Sequence, residues 1–573
     1  MRSVDKSDPL SKRWRSWVFI GCVFLIFMQA GLFAGHKDRA AAVRRPTSTS
    51  TKWITFLKSG KSYSLEHPIP KMMADAEEKF KNLLAKQSKT LRNAVVEYRR
   101  RYGREPPKGF GDWWKFAQEN HFKLLDEFDT IHEDLAPFWN ISSMEFRRRA
   151  AQVGELPSID LVRIADGKAE GFSVDKTARE GGARSHGFIT LLQKFQDKLP
   201  NMYFAVNANA EGRVVVPWEH RHYPNMTVQD SSGGIATVVG PDFTTPDWQG
   251  QGSVWDAYRR TCPPDSEARR LYMSFRNPDA QSTKVFFGSG QPLGDDFTFV
   301  PTVEDSIDYC SKPWTHYTQG HFFSDWRTIP ALLPVLSPGK ATGFSDIRIP
   351  SHYYLGQSNR FLRMTHEGAA GNRTIIHADP LNSGNFIATA VPAGKLNSDI
   401  MDTAFTASTG AYPGGEDALR KSHRFAPAVP LGQHWAYKYL IDLDGMAYSG
   451  RFLALLSSES TVIKSTIWRE FFSDWLQPWL HYIPLSSSYA EIYNIHAFYS
   501  GPTPSTLEAA NLTAKHTMRS SEGDRHLQRI ARAGRQWKKT IGRTVDMEVY
   551  VYRLCLEYAR LWADDRDSMN FSL

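Results

Sequence analysis

Cysteine is scarce in this chain, with 4 residues in 573. No long Lys/Arg block, no nucleic-acid module, no internal repeat and no complete glycine-rich phosphate fingerprint occurs either. The formal net charge is nevertheless +9. Without a basic block, that excess reads as a cationic cleft or a membrane flank rather than a nucleic-acid surface. Disorder is excluded by what is abundant: 41% of residues are hydrophobic and 13% aromatic, including 17 Trp. At this length one core is not enough, so two large lobes with appendages are expected.

Few runs are purely apolar, and one stands out. Trp17 to Gly35 carries no charge and is long enough to cross a bilayer, with Lys12, Arg13 and Arg15 before it and His36, Lys37 and Arg39 after it. A cleaved signal peptide is the alternative, but the length of the run and its basic trailing flank favour an uncleaved anchor. Both flanks are basic, so charge does not set the orientation. The glycosylation tripeptides beginning at Asn140, Asn225, Asn372, Asn511 and Asn570 point to a luminal body. Of the cysteines, Cys22 lies in the apolar span, Cys555 falls on an amphipathic helix pattern, and Cys262 and Cys310 could pair in an oxidising lumen.

Residues 36–65 are basic, Ser/Thr-rich and aperiodic, as in a stem. Lys71 to Arg101 reads as one charged helix, stopped by the Gly and Pro of 103–109, and an aromatic helix from Trp113 runs toward Phe128. Leu192 to Lys198 reads as helical. Tyr203 to Asn207 is a short buried strand whose end carries Asn207, Asn209, Glu211 and Arg213. Residues 365–434 show little period, and Asp524 to Asp565 reads as a long helical tail with Cys555 in its core face.

The block from Lys438 to Tyr482 is the most informative. Tyr439 to Leu443 is a strand ended by Asp444-Gly445; Ser449-Gly450-Arg451 opens a helix with Phe452, Leu455 and Leu456 at helical spacing; Thr461-Val462-Ile463 is the next strand. In a βαβ unit, ligands sit at the carboxyl ends of strands beside a helix N-terminus. Arg451 and Lys464 would add full charges suited to a diphosphate there. An ordinary α/β layer with two solvated cations fits the same spacing.

Taken in order, several segments resemble glycosyltransferase family 90, the fungal capsule-associated proteins and animal protein O-glucosyltransferases. They are Tyr102-Gly-Arg-Glu-Pro-Pro-Lys-Gly-Phe with Trp113-Trp114, Leu199-Pro-Asn-Met with Asn207, Phe323-Ser-Asp-Trp-Arg327, and Ser345-Asp-Ile with Pro350-Ser-His-Tyr-Tyr354. Lys438 to Gly445, Ser449-Gly-Arg-Phe452, Lys464-Ser, Gln477-Pro-Trp-Leu-His-Tyr482, Ile530 to Trp537 and Glu557-Tyr-Ala-Arg560 follow. The resemblance implies an α/β fold of GT-B type, with two Rossmann-like lobes and a cleft between them. It also implies an inverting transfer of xylose or glucose from a UDP-sugar to a glycan, glycolipid or protein hydroxyl, without a metal. The implied location is a single-pass type II Golgi membrane protein.

On that pattern the chain divides into a tail (1–16), an anchor (17–35), a stem (36–65), an acceptor-side lobe (66–335), a donor lobe (336–515) and a helical tail (516–573). Arg451 matches the family arginine on the diphosphate. Met446, Ala447, Tyr448, Ser449 and Gly450 match the donor loop, with Lys464 beside it. Asp442-Leu-Asp444 is expected to be structural. Two departures stand out. Ala210 occupies the position of the aspartate that deprotonates the acceptor, leaving Glu211 as the candidate base or, alternatively, as a partner of Arg213. The Arg-Gly turn that contributes to the donor site has no counterpart, and Arg360-Phe361 looks like the junction of a deletion. A catalytically impaired glycan-binding relative is therefore the competing reading.

Overall fold

Side-chain hydrogen bonds cut the helices shorter than their periodicity suggests. The computed structural model describes residues 63–64, 67–174, 182–222, 253–270, 295–302, 308–313, 316, 319–323, 328–351, 364–380, 383–406, 417, 420–421, 423–445, 447–512 and 521–573. These belong to one unit, Gly60–Leu573. The tail, the 17–35 span, most of the stem, Asn225, residues 324–327 and 352–354, and the Arg360 junction lie outside them. Among the described residues no helix is long and apolar enough to cross a membrane.

The charged pattern expected as one helix is two, α1 (Pro68–Ala85) and α2 (Leu91–Tyr102). Asp126 accepts the Ser88 N–H at 2.6 Å, and the Thr90 hydroxyl accepts that of Asn93 at 3.2 Å. These side chains satisfy backbone donors that a continuous helix would have used. The aromatic helix α3 (Phe110–Glu119) also stops early, because Asn120 bonds back to the Phe116 carbonyl and His121 takes a left-handed φ of 55°. Helices α4 (Asp129–Leu135) and α5 (Ser143–Val153) complete this layer.

The first sheet is built from β1 (Ile159–Ala165), β2 (Lys168–Ser173), β3 (Met202–Asn207), β4 (Val335–Ser337) and, after the short β5 (Gly339–Ala341), β6 (Ile347–Arg348). Its order is β2-β1-β3-β4-β6. β1 runs antiparallel to both neighbours, whereas β3, β4 and β6 are parallel, with Val206 opposite Leu336 and Leu336 opposite Ile347. The helix expected at 192–198 lies earlier, as α6 (Ala183–Leu192); only a 3₁₀ turn occupies Gln196–Lys198. Gly182, at φ +81°, supplies the left-handed conformation that turns the chain into α6.

The stretch from 365 holds structure that its sequence barely signals: a hairpin of β7 (Asn372–Ala378) and β8 (Asn385–Pro392), then α7 (Ala393–Ile400). The βαβ block forms as expected. β9 (Tyr439–Leu443), α8 (Phe452–Leu455) and β10 (Thr461–Ser465) are followed by β11 (Trp468–Glu470) and β12 (Ile483–Pro484). β9, β10 and β12 make a parallel sheet in that order. β11 pairs antiparallel with β5, Glu470 opposite Gly339, and so stitches the segment after β10 to the segment after β4.

Helix α9 (Ile492–Ser500) leads to the C-terminal pair, and the expected long helix is again broken, at Ile541-Gly542, into α10 (Ser521–Thr540) and α11 (Thr544–Trp562). α11 is buried along almost its whole length, including Cys555. It packs on α3, α5 and α6, and its backbone takes the Trp113 indole N–H at the Val549 carbonyl, 3.0 Å. The Tyr558 hydroxyl donates to the Tyr203 carbonyl in β3 at 3.0 Å. The core thus joins the extreme C-terminus to the N-terminal helices and the first sheet. Cys262 and Cys310 form the disulfide that their positions suggested.

Candidate functional site

Two turns, each at the carboxyl end of a parallel strand, carry the expected site residues. The first follows β3. Asn207 donates from Nδ2 to the Glu211 carbonyl (2.5 Å) and to Ser337 Oγ (3.1 Å), while its Oδ1 accepts the Asn209 N–H at 3.0 Å. Asp346, of the Ser345-Asp-Ile segment, accepts the backbone N–H groups of Arg213 (2.9 Å) and Val214 (2.8 Å) and the Ser337 hydroxyl (2.7 Å). Asp346 is fully buried, and burial raises its pKa against the hydrogen bonds that hold the carboxylate down. Gly212 permits this closeness, since a Cβ there would stand 3.0 Å from the Phe344 ring.

The turn therefore has a rigid backbone, and it carries Glu211, 5% exposed. Arg213 donates from Nη1 to the Pro157 carbonyl at 2.8 Å. Ala210 packs against an apolar cluster that also contains Val215, Phe344, Ala447, Tyr448 and Trp468. The two turns share that cluster.

The second turn follows β9. The parallel register sets Asp442 opposite Lys464, and the Lys464 ammonium reaches Asp442 Oδ2 at 2.9 Å. The Ser449 hydroxyl donates to the other oxygen, Oδ1, and Arg451 Nη2 lies 3.9 Å from the same atom. Asp444 accepts the Ile467 N–H at 2.6 Å, and the Gly445 N–H closes the turn on the Ala447 carbonyl at 2.9 Å. The two aspartates of the Asp-x-Asp thus fix the turn and its neighbouring strand. Met446 is outside the described residues. Gly450 and Ser449 are buried, as are Ala447 and Tyr448, whereas the Arg451 side chain is 34% exposed.

Lys464 does not stand as a free cation. It is 3% exposed, lies 4.3 Å over the Phe452 ring, and is held by Asp442. Burial works against its charge, but Asp442 and Glu470 outweigh that and raise its pKa. Burial pushes Asp444 up to about 7 and Glu470 up to about 8, with Lys464 pulling both down in part. Among the described residues, Asp444 Oδ1 and Glu470 Oε1 have no hydrogen-bond partner. A cavity of 320 Å³ lies here, lined by Lys464, Glu470, Phe452, Trp468 and Phe472 and reaching Phe80 of α1.

Sequence reasoning missed the residue that joins the turns. Arg184, in the first turn of α6 and 4% exposed, donates from Nε to the Ala208 carbonyl (3.3 Å) and from Nη1 to Ser351 Oγ (2.9 Å) and the Tyr448 hydroxyl (3.0 Å). Tyr448 in turn donates to Ser351. Burial pushes the Tyr448 phenol up to about 12, so it stays a neutral donor. No local motif marks Arg184; its partners are distant in sequence. His220-Arg221-His222 is a His-x-His by letters. The His222 ring stacks on Trp218 at 3.9 Å, and among the described residues no group of three or more His, Cys, Asp or Glu is arranged to hold a metal ion.

The second turn lies within a stretch of the chain that is similar to known proteins. Residues 392–500 match the family model described as "Glycosyl transferase family 90". Human protein O-glucosyltransferase 1 is 32% identical over 129 residues, covering 22% of this chain and 30% of the relative. An O-glucosyltransferase rumi homolog from Aedes aegypti is 28% identical over 194 residues, 33% of this chain and 40% of the relative. O-glucosyltransferase rumi of Drosophila melanogaster is 34% identical over 111 residues, 18% and 26% respectively. The matched stretches thus span well under half the length of these relatives.

Proposed function

We propose, from the match of residues 392–500 to the family model of glycosyl transferase family 90, that this chain transfers a sugar from a UDP-sugar to a hydroxyl with inversion, in a GT-B-like cleft. The observation that carries the reading is the second turn. Within a parallel βαβ unit, the loop after the first strand is fixed by Asp442 and Asp444 and leaves Arg451 partly exposed beside it. A cation so held meets a departing diphosphate without reorganising, which is where electrostatic stabilisation acts. No metal is invoked. Inversion also needs a base within reach of the acceptor hydroxyl. Glu211 is the candidate, on the first turn. The names of the relatives favour glucose as the sugar and a protein hydroxyl as the acceptor; xylose and glycan or glycolipid acceptors are the alternatives.

A type II Golgi membrane protein with a luminal body completes the proposal. The Cys262–Cys310 disulfide supports an oxidising compartment, and the uncharged 17–35 run supports the anchor. The second reading, a glycan-binding protein impaired in catalysis, is favoured by Ala210, which offers no proton acceptor and packs into the apolar cluster.

Titration with UDP followed by turnover of UDP-glucose and UDP-xylose tests both readings. UDP is expected to bind the wild type. Arg451→Ala is expected to weaken it about tenfold or more, a loss of about 1.4 kcal/mol, with no change in melting temperature. Glu211→Gln is expected to abolish transfer and leave UDP affinity unchanged. Binding without turnover in the wild type selects the second reading; no binding at all removes the donor-site reading.

A further inference from the structure

We propose that Arg184 is a positioning residue that couples the acceptor-side turn to the donor-side turn, so that occupancy of one orders the other. The inference rests on the proposed donor site and adds a residue and a mechanism to it. The named partners of the guanidinium are neutral oxygens on three separate segments: the Ala208 carbonyl, the Ser351 hydroxyl and the Tyr448 hydroxyl.

What the guanidinium adds is geometry. Its planar fork fixes the directions of Nε and Nη1 together, which a lysine ammonium cannot do. Ala208 stands three residues before Glu211, and Tyr448 stands three residues before Arg451. The fork therefore grips each turn three residues in sequence from the candidate base and from the candidate diphosphate cation. The backbone of the first turn is otherwise fixed by Asp346 and Asn207, and that of the second by Asp442 and Asp444. Each turn is rigid within itself, so a displacement at Tyr448 passes through Arg184 to Ala208.

Hydrogen–deuterium exchange of the full chain, with and without UDP, reads this coupling without needing turnover. In the wild type, UDP is expected to slow exchange about tenfold or more in peptides covering 445–455 and also in those covering 202–214. In Arg184→Lys, UDP is expected to protect 445–455 alone. A merely structural role would lower the melting temperature without changing which segments UDP protects. Should Arg184→Lys fail to fold, Tyr448→Phe carries the test, because it removes the phenol and keeps the ring in the apolar cluster; loss of protection at 202–214 is again expected. Protection of both segments in the folded variant, or of 445–455 alone in the wild type, overturns the coupling and leaves the donor site standing. No protection anywhere in the wild type removes the donor-site reading and the coupling with it.

Discussion

The turn after β3 and the turn after β9 occupy the same place in their sheets, yet they are held by different physics. In the first, one buried carboxylate, Asp346, collects two backbone N–H groups and a hydroxyl, and the amide of Asn207 does the rest. These partners of Asp346 are all neutral. In the second, Asp442 is paired with a buried ammonium as well as a hydroxyl. The first turn is a hydrogen-bonded frame and the second is a charge-balanced one. A frame of hydrogen bonds fixes where a proton acceptor sits. A balanced charge pair holds a loop while leaving a further cation, Arg451, unsaturated enough to meet an anion.

The sharpest way to break this contrast is at Asp346. Its removal orphans two buried backbone N–H groups, each costing about 1–3 kcal/mol. Asp346→Ala is expected to destabilise the chain by about 4 kcal/mol in total, measured by urea unfolding. Asp346→Asn, which retains an acceptor oxygen, is expected to lose about half of that. Equal stability of Asp346→Ala and wild type would show that Asp346 does not frame the first turn.

Lys464→Met tests the other half. Met fills most of the volume but leaves Asp442 buried without its counter-charge, a loss of about 3 kcal/mol. The same substitution is expected to weaken UDP less than Arg451→Ala does, because Lys464 is already committed to Asp442. If Lys464→Met weakened UDP more than Arg451→Ala while leaving stability intact, Lys464 would be a donor-site cation, as its spacing suggests, and not the counter-charge that holds Asp442.

That difference between Lys464 and Arg451 marks how far sequence reasoning reached. Spacing revealed the βαβ unit, because Thr461-Val462-Ile463 is β-branched and Asp444-Gly445 is a strong stop. It could not say which of two cations would be buried, since that depends on the register that sets Asp442 against Lys464. The hairpin β7–β8 was illegible for another reason. Its strands are largely exposed on β8, so selection for alternation is weak, and Ala and Thr dilute what remains. The helix α6 was misplaced because Gly187 and the buried Arg184 break the apolar stripe of a helix that is itself continuous. Partners far apart in sequence are set by tertiary packing, so Arg184 emerges only in the fold, and Asp346, although its Ser345-Asp-Ile segment is marked in the sequence, shows its framing role only there.

The smallest effect, taken per pH unit, concerns the acids that share the charge-balanced region. Burial pushes Glu470 up to about 8 and Asp444 up to about 7, well above their values in an unfolded chain. Between about pH 4.5 and 8 the unfolded Glu470 carboxyl has lost its proton while the folded one retains it. The folded state then binds more protons than the unfolded state, so stability falls as pH rises through this window, by up to about 1.4 kcal/mol per pH unit for each such group. Glu470→Gln removes the larger of the two titrations. Urea unfolding at pH 5, 6, 7 and 8 is expected to show a shallower fall in the variant, with the remaining slope confined below about pH 7, where Asp444 still titrates. A Glu470→Gln variant that kept the full wild-type slope would place the titration elsewhere, and the charge-balanced turn would then lose its claim to differ from the hydrogen-bonded one in its response to pH.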